Sequence, residues 1–232
     1  MKYKSIAIIT ARAGSKRFIN KNISLLLGKP LIYWTIKEAI DSKCFDEVMV
    51  STDCDKIAKV AKKYGASVPF LRPLKYAKDD TSSAETLINV INTYKHLGKE
   101  FNYVALLQPT SPLRNKKDII KSFKLLKKKK SKAIISVCEA EHSPLWSNTL
   151  PKTLSMSNFI LSVNKNKNTQ QLSTNYRLNG AIYLCETKEL LKQRTLLLKK
   201  RIYAYIMPQN RSIDIDTKED LIFAEILLKR DI

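Results

Sequence analysis

Apolar positions follow two alternating rhythms along the chain. Short, nearly continuous apolar runs occur at Ile6 to Ile9, Val48 to Ser51, Tyr103 to Leu107, Ala133 to Val137, Ala181 to Leu184 and Ile202 to Ile206. Runs of this length, rich in Ile, Val and Tyr, read as strands buried on both faces. Between them the spacing is helical, at Leu31 to Ser42, Asp55 to Tyr64, Ala84 to Leu97, Asp118 to Lys128 and Lys218 to Lys229. Strand alternating with helix implies right-handed crossovers, hence an α/β fold with a mainly parallel sheet and helices on both faces. In such a sheet the functional loops follow the carboxyl ends of the strands.

One stretch breaks the rhythm. Residues 139–179 are rich in Ser, Asn, Thr and Pro and lack a long periodic segment, so they read as an insertion within a single domain spanning 1–232. Its apolar residues Leu145, Trp146, Leu150, Leu154, Met156, Phe159, Ile160 and Leu161 are too many for a solvated loop. They cover the core or form a subunit contact.

Composition then removes whole classes. A length of 232 residues supports one substantial core rather than two full domains. The N-terminal apolar stretch Ser5 to Ala11 is cut short by Arg12, which excludes a signal peptide. No apolar run approaches the roughly 18 residues of a membrane span, so a cytoplasmic protein without a membrane partner is expected. Cys44, Cys54, Cys138 and Cys185 form no CxxC pair and no cluster with His96 or His142; reduced thiols are the simple reading. The net charge of +21 suits either a nucleic acid or small anionic substrates. The basic residues are dispersed, with no helix-turn-helix, aromatic RNA-binding signature or zinc pattern, so no nucleic-acid partner is expected.

Four segments carry candidate chemistry. The first predicted strand runs into Ala11-Arg12-Ala13-Gly14-Ser15-Lys16-Arg17, with Lys21-Asn22 close behind. Small residues let backbone N–H groups approach an anion, and Arg12, Lys16, Arg17 and Lys21 can neutralise a triphosphate. The spacing is neither that of a Walker loop nor of a dinucleotide fingerprint, and a solvated basic turn is the plain alternative. A second segment, Leu106-Leu107-Gln108-Pro109-Thr110-Ser111-Pro112-Leu113-Arg114, is a proline-stiffened turn in which Gln108, Thr110 and Ser111 offer donors and acceptors to a base edge or to sugar hydroxyls. Alone, it would pass for an ordinary strand-to-helix connection. The third, Ser212-Ile213-Asp214-Ile215-Asp216-Thr217, places Asp214 and Asp216 on one side of an extended segment, a pair suited to a hard divalent cation shared with phosphates. Thr217 with Asp220 also reads as a helix cap. The fourth, Arg72-Pro73 and Asp79-Asp80-Thr81-Ser82-Ser83, precedes a predicted helix and serves as capping residues or as ligand contacts.

In this order the four segments, with Val50-Ser51-Thr52-Asp53 and Tyr176-Arg177-Leu178-Asn179-Gly180-Ala181-Ile182-Tyr183, resemble the CMP-sialic acid synthetases, or acylneuraminate cytidylyltransferases, over nearly the whole chain. The resemblance implies a Rossmann-like nucleotide-sugar-transferase fold and a homodimer built through the inserted segment. It also implies transfer of CMP from CTP to a nine-carbon 2-keto sugar acid, with Mg2+, or Mn2+ as the alternative. Arg12, Gly14, Ser15, Lys16, Lys21, Asn22, Arg72, Thr81, Ser83 and Gln108 match the nucleotide-binding positions. Gln108, Thr110, Ser111, Arg177, Asn179 and Tyr183 fall on the sugar side, and Asp214 and Asp216 match the metal pair. Arg12, Lys16, Lys21 and Asp216 are the expected catalytic set.

The sequence departs from the pattern at Thr169, ahead of Gln170-Gln171, and at Trp146, where relatives carry cations. With both charges lost, legionaminic and pseudaminic acid stand beside sialic acid as substrates of the nine-carbon class. The stretch Glu141-His142-Ser143-Pro144-Leu145-Trp146 resembles the legionaminate branch. Rival readings are an enzyme for an eight-carbon keto sugar acid, a basic nucleic-acid-binding protein, or an interaction module centred on the insertion.

Overall fold

The computed structural model describes residues 3–14, 18–160, 168 and 171–230. Its core is a six-stranded sheet in the order β4 (Glu47–Ser51), β1 (Ser5–Thr10), β5 (Tyr103–Leu106), β7 (Tyr176–Glu186), β6 (Ala133–Glu139) and β8 (Ile202–Ile206). The two-residue strands β2 (Leu25–Leu26) and β3 (Lys29–Pro30) form a separate ribbon. Helices α1 (Leu31–Asp41), α2 (Asp55–Lys63), α3 (Ser83–His96), α4 (Lys116–Lys128), α5 (Thr187–Gln193) and α6 (Lys218–Arg230) complete the fold.

The apolar runs are continuous because both sheet faces are covered. In β1, Ala7 and Ile9 pack on one side with Ile32, Ile36 and Ile57 of α1 and α2 and Ile119 of α4. Ile6 and Ile8 pack on the other with Leu87 and Ile91 of α3 and Leu190 of α5. Burying each such side chain contributes about 1.5–3 kcal/mol, so a slip of one residue exchanges faces without exposing either. Register is instead fixed by the ends of the strands, where polar residues begin.

Five strands run in one direction, and β7 is antiparallel to both neighbours, β5 and β6. The run Ala181 to Leu184 therefore belongs to the one reversed strand of a mainly parallel sheet. The beginning of β7 consequently lies at the same edge as the carboxyl ends of the other five strands. Residues 176–179, read from the sequence as the end of the insertion, are the first residues of β7. The pairing of β6 with β7 shifts register between Ile135 and Val137. There the N–H of Ile182 donates to Ser136 Oγ at 2.7 Å, and Ser136 Oγ donates to Asn179 Oδ1 at 2.6 Å. Side chains thus replace the interrupted ladder. Helix α5 was not legible as a periodic segment, since seven residues offer scarcely two turns.

After β6 the chain enters the irregular segment with a short 3-10 turn at Pro144–Trp146. Leu145, Trp146, Leu150, Leu154 and Met156 are all exposed, while Leu161, Thr169 and Gln170 lie outside the described residues.

Candidate active site

At the carboxyl end of β1 the chain folds back over its neighbour. Ala11 donates its N–H to Ser51 at 3.0 Å, and Ala13 N–H donates to Asp53 Oδ1 at 3.0 Å. Asn22, buried, donates to the Arg12 carbonyl at 3.1 Å. This loop aims two cations into one hollow of 640 Å³, bounded also by Thr10, Asn22, Gln108, Thr110 and Asp216. The Arg12 guanidinium pairs with Asp79 Oδ1 at 2.5 Å. Lys21 Nζ donates to Ile215 O at 2.7 Å and to Asp216 Oδ1 at 3.0 Å. Ser15 and Lys16 lie outside the described residues. A Cβ added at Gly14 would meet nothing within 4 Å among the described residues, so packing does not demand a glycine there.

Arg12, Thr10 and Asp79 also bound a second hollow of 210 Å³, which holds Arg72, Thr81 and Ser83. Arg72 is buried, with Nε on Ser51 Oγ at 3.0 Å and Nη2 on the Ser51 carbonyl. Desolvation lowers its pKa to about 10, Asp53 opposing and Arg12 adding to the shift, so it remains a fixed cation at neutral pH. Between Thr81 and Ser83, Ser82 forms a reciprocal capping box with Glu85 at the start of α3. The cap is thus Ser82, which leaves its two neighbours beside the hollow.

Gln108 bounds the first hollow and also a third, of 220 Å³, whose other walls include Ser83, Leu178, Tyr183, Leu196 and Leu197. The three hollows therefore share members in series: Arg12 joins the first two, and Gln108 and Ser83 join the third to them.

The sugar-side expectations divide. Tyr183 lines the third hollow, and Thr110 the first. Ser111 and Asn179 do not line any of the three: both are buried. Ser111 Oγ donates to the Asn179 carbonyl at 3.3 Å, and the Asn179 amide donates to Ser212 Oγ at 2.9 Å and accepts from Ser136. Their polar atoms bond to protein partners. Arg177 donates to Glu141 Oε1 and to Ser212 O, each at 3.4 Å, beside the segment that carries the carboxylate pair.

Residues missed by the sequence reading are Asp79, the partner of Arg12, and Leu178, Leu196 and Leu197. Asp79 stood in a noted acidic-hydroxyl stretch without a role. The leucines gave no signal, because an apolar residue in a site is indistinguishable in sequence from one in the core.

A family model described as cytidylyltransferase matches residues 6–229, almost the entire chain. The chain belongs to the cytidylyltransferase family. It is therefore a nucleotidyltransferase. The CMP-N,N'-diacetyllegionaminic acid synthase of Legionella pneumophila is 36% identical over 97% of this chain and 96% of its own length. A pseudaminic acid cytidylyltransferase of Campylobacter jejuni is 34% identical over 97% of each chain. The N-acylneuraminate cytidylyltransferase of Escherichia coli is 35% identical over 95% of this chain, which spans 51% of that longer protein. A CMP:2-keto-3-deoxy-manno-octonic acid synthetase structure, complexed with CTP, superposes with a TM-score of 0.72 over 99% of this cytidylyltransferase and 100% of that chain, at 15% identity. This last likeness establishes the fold.

In this cytidylyltransferase Asp216 lines the first hollow, whereas Asp214 lines none of the three. Desolvation raises the pKa of Asp214; a hydrogen bond with Thr110 opposes the rise, Asp216 adds to it, and Lys21 opposes it. Burial, followed by the charge of Asp214, raises Tyr183. Asp214 and Asp216 carry hard oxygen donors of the kind that divalent cations take, and Asp216 also holds the Lys21 ammonium. Among the described residues, no group of three or more His, Cys, Asp or Glu is gathered for a metal held by protein alone. The capping role expected of Thr217 is present as well, since Asp220 N–H donates to Thr217 Oγ1 at 3.2 Å and Thr217 N–H to Asp220 Oδ2 at 2.8 Å. No helix of the described residues is long and apolar enough to cross a membrane.

Proposed function

We propose that this cytidylyltransferase transfers CMP from CTP to the C2 hydroxyl of a nine-carbon 2-keto sugar acid of the legionaminic or pseudaminic type, releasing pyrophosphate. The observation that carries the reading is the position of Gln108. It stands between a hollow furnished with Arg12 and Lys21 and one walled by Tyr183, Leu178, Leu196 and Leu197. A triphosphate suits the first; a sugar with apolar acyl or deoxy substituents suits the second. The names of the full-length relatives support the same substrate class.

In the reaction the C2 hydroxyl oxygen attacks the α-phosphorus of CTP as the bond from that phosphorus to the bridging oxygen breaks, and the hydroxyl proton passes to the Asp214 or Asp216 carboxylate. Arg12, Lys16 and Lys21 neutralise charge gathering on the pyrophosphate. Arg72, Thr81 and Ser83 hold the nucleoside, and Gln108 orients both substrates, so most of the acceleration comes from positioning. Mg2+ held by Asp214 and Asp216, with Mn2+ as the alternative, would supply further charge neutralisation at the phosphates.

The exposed Leu145, Trp146, Leu150, Leu154 and Met156 support assigning the 139–179 segment to contact with a second copy, giving a homodimer. A cytoplasmic location follows from the pool of CTP that the reaction needs.

The test is pyrophosphate release from CTP and Mg2+ with legionaminic, pseudaminic and N-acetylneuraminic acids supplied separately, beside an Asp216→Ala control. Sugar-dependent release with the first or second acid, abolished by the substitution, is expected. Release with N-acetylneuraminate alone would overturn the sugar assignment.

A further inference from the structure

Among the described residues Arg114 is the largest fully buried side chain, with no exposed surface, yet the proposed reaction does not use it. It stands six residues after Gln108, at the end of the proline-stiffened turn. The ladder between β5 and β7 ends at Leu106 and Tyr183; beyond this pair the two chains diverge. Arg114 Nη1 closes the gap, donating to Gln108 O at 3.2 Å and to Ala181 O at 3.0 Å. The Gln108 carbonyl also accepts from Ser111 N–H and Thr35 Oγ1, each at 3.3 Å. Meanwhile the Gln108 side chain lies directly on Gly180, where an added Cβ would overlap Gln108 Oε1 and where φ is +74°.

A buried guanidinium is expensive. Nε and Nη2 of Arg114 have no hydrogen-bond partner, and desolvation lowers its pKa to about 10 against the opposing charges of Asp118 and Glu38. An apolar side chain of similar volume would stabilise the core at least as well. What it could not do is hold two carbonyls of diverging strands at a fixed spacing.

We propose that Arg114 is a positioning residue, which clamps the Gln108 backbone to β7 so that the Gln108 amide is held over Gly180 between the two substrate hollows. This rests on the reading that places Gln108 between nucleotide and sugar. The clamp acts on turnover and on sugar use, and leaves the cations that hold CTP in place.

The experiment is a mutant cycle of Arg114→Met and Gln108→Ala in the full chain, with kcat and the KM for each substrate measured. Arg114→Met is expected to lower kcat by about 10- to 100-fold, as befits a small misplacement, with the KM for CTP little changed. In the Gln108→Ala background it should cost almost nothing further. An equal loss in both backgrounds, or wild-type kcat in a folded Arg114→Met protein, would overturn the positioning role. If Arg114→Met does not fold, Arg114→Lys, which keeps the charge but loses the two-carbonyl grip, is carried through the same cycle under the same criteria. Wild-type turnover in Gln108→Ala alone would instead sink the placement of Gln108 in the site.

Discussion

Arg12 illustrates how much one side chain must be held before it can act. Its carbonyl is fixed by Asn22, the following loop by Asp53, and its guanidinium by Asp79. Asp79 pairs with the cation at 2.5 Å, so in the proposed reaction a triphosphate would exchange one anionic partner for another. In the proposed reaction, replacing Arg12 by Ala removes a charge that opposes the leaving group. It should lower kcat/KM by about 10²- to 10³-fold, on the order of 3–4 kcal/mol, with the melting temperature nearly unchanged; steady-state kinetics and calorimetry would check both halves. The polar residues of this site were legible because arginine, lysine and paired aspartates after predicted strands have few structural reasons to be there. Ser111 and Asn179 were legible too, and the structure shows both buried with protein hydrogen-bond partners. A polar residue that satisfies a buried turn and one that binds a ligand obey the same hydrogen-bonding chemistry, and only burial separates them. Leu178, Leu196 and Leu197 were illegible for the converse reason.

At the scale of elements, the apolar runs located every strand of the main sheet, and the amphipathic spacing located five of its helices. Direction was not encoded in that pattern. A run buried on both faces looks alike whether parallel or antiparallel to its neighbours, so the reversal of β7 emerges only from its pairing. Polar contacts then pin elements together at their ends. Glu47 opens β4, with its carboxylate on Ser67 Oγ and within 3.1 Å of Lys99. Desolvation would raise its pKa, but the hydrogen bonds from Ser67 and Lys99 outweigh this and leave it lowered from 4.5. With the folded pKa below the unfolded one, the stabilisation is complete above about pH 4.5 and is lost as pH falls through the folded value. Urea denaturation between pH 6 and 3 should therefore show a steeper acid loss for the native protein than for Glu47→Gln. Equal slopes would remove Glu47 from the account of acid stability.

Over the whole molecule, a net charge of +21 surrounds a site whose proposed substrates are all anions. Such a field raises the local concentration of a triphosphate and weakens with ionic strength. The KM for CTP is expected to rise steadily as salt is raised from 50 to 500 mM, values chosen to span Debye lengths from roughly 14 to 4 Å, while kcat holds. A flat KM would mean that the lysines are merely a solvated surface. The division of labour across the sheet is equally global. The segment after β1 carries Arg12 and Lys21 and the segment between α2 and α3 carries Arg72, whereas β7 carries Leu178 and Tyr183 and the turn after α5 carries Leu196 and Leu197.

That division bears on how such a protein can change over time. Leu178, Tyr183, Thr195, Leu196 and Leu197 of the third hollow come from one contiguous stretch, 176–197, while Ser83, Ala84, Leu106 and Gln108 supply its other walls. Under the proposed function, substitutions in that stretch would alter which acceptor is read and leave Arg12 and Lys21 in place. A lineage could thus diversify the sugars it activates while inheriting one unchanged donor site, and recombination within this stretch would carry acceptor preference from one relative to another.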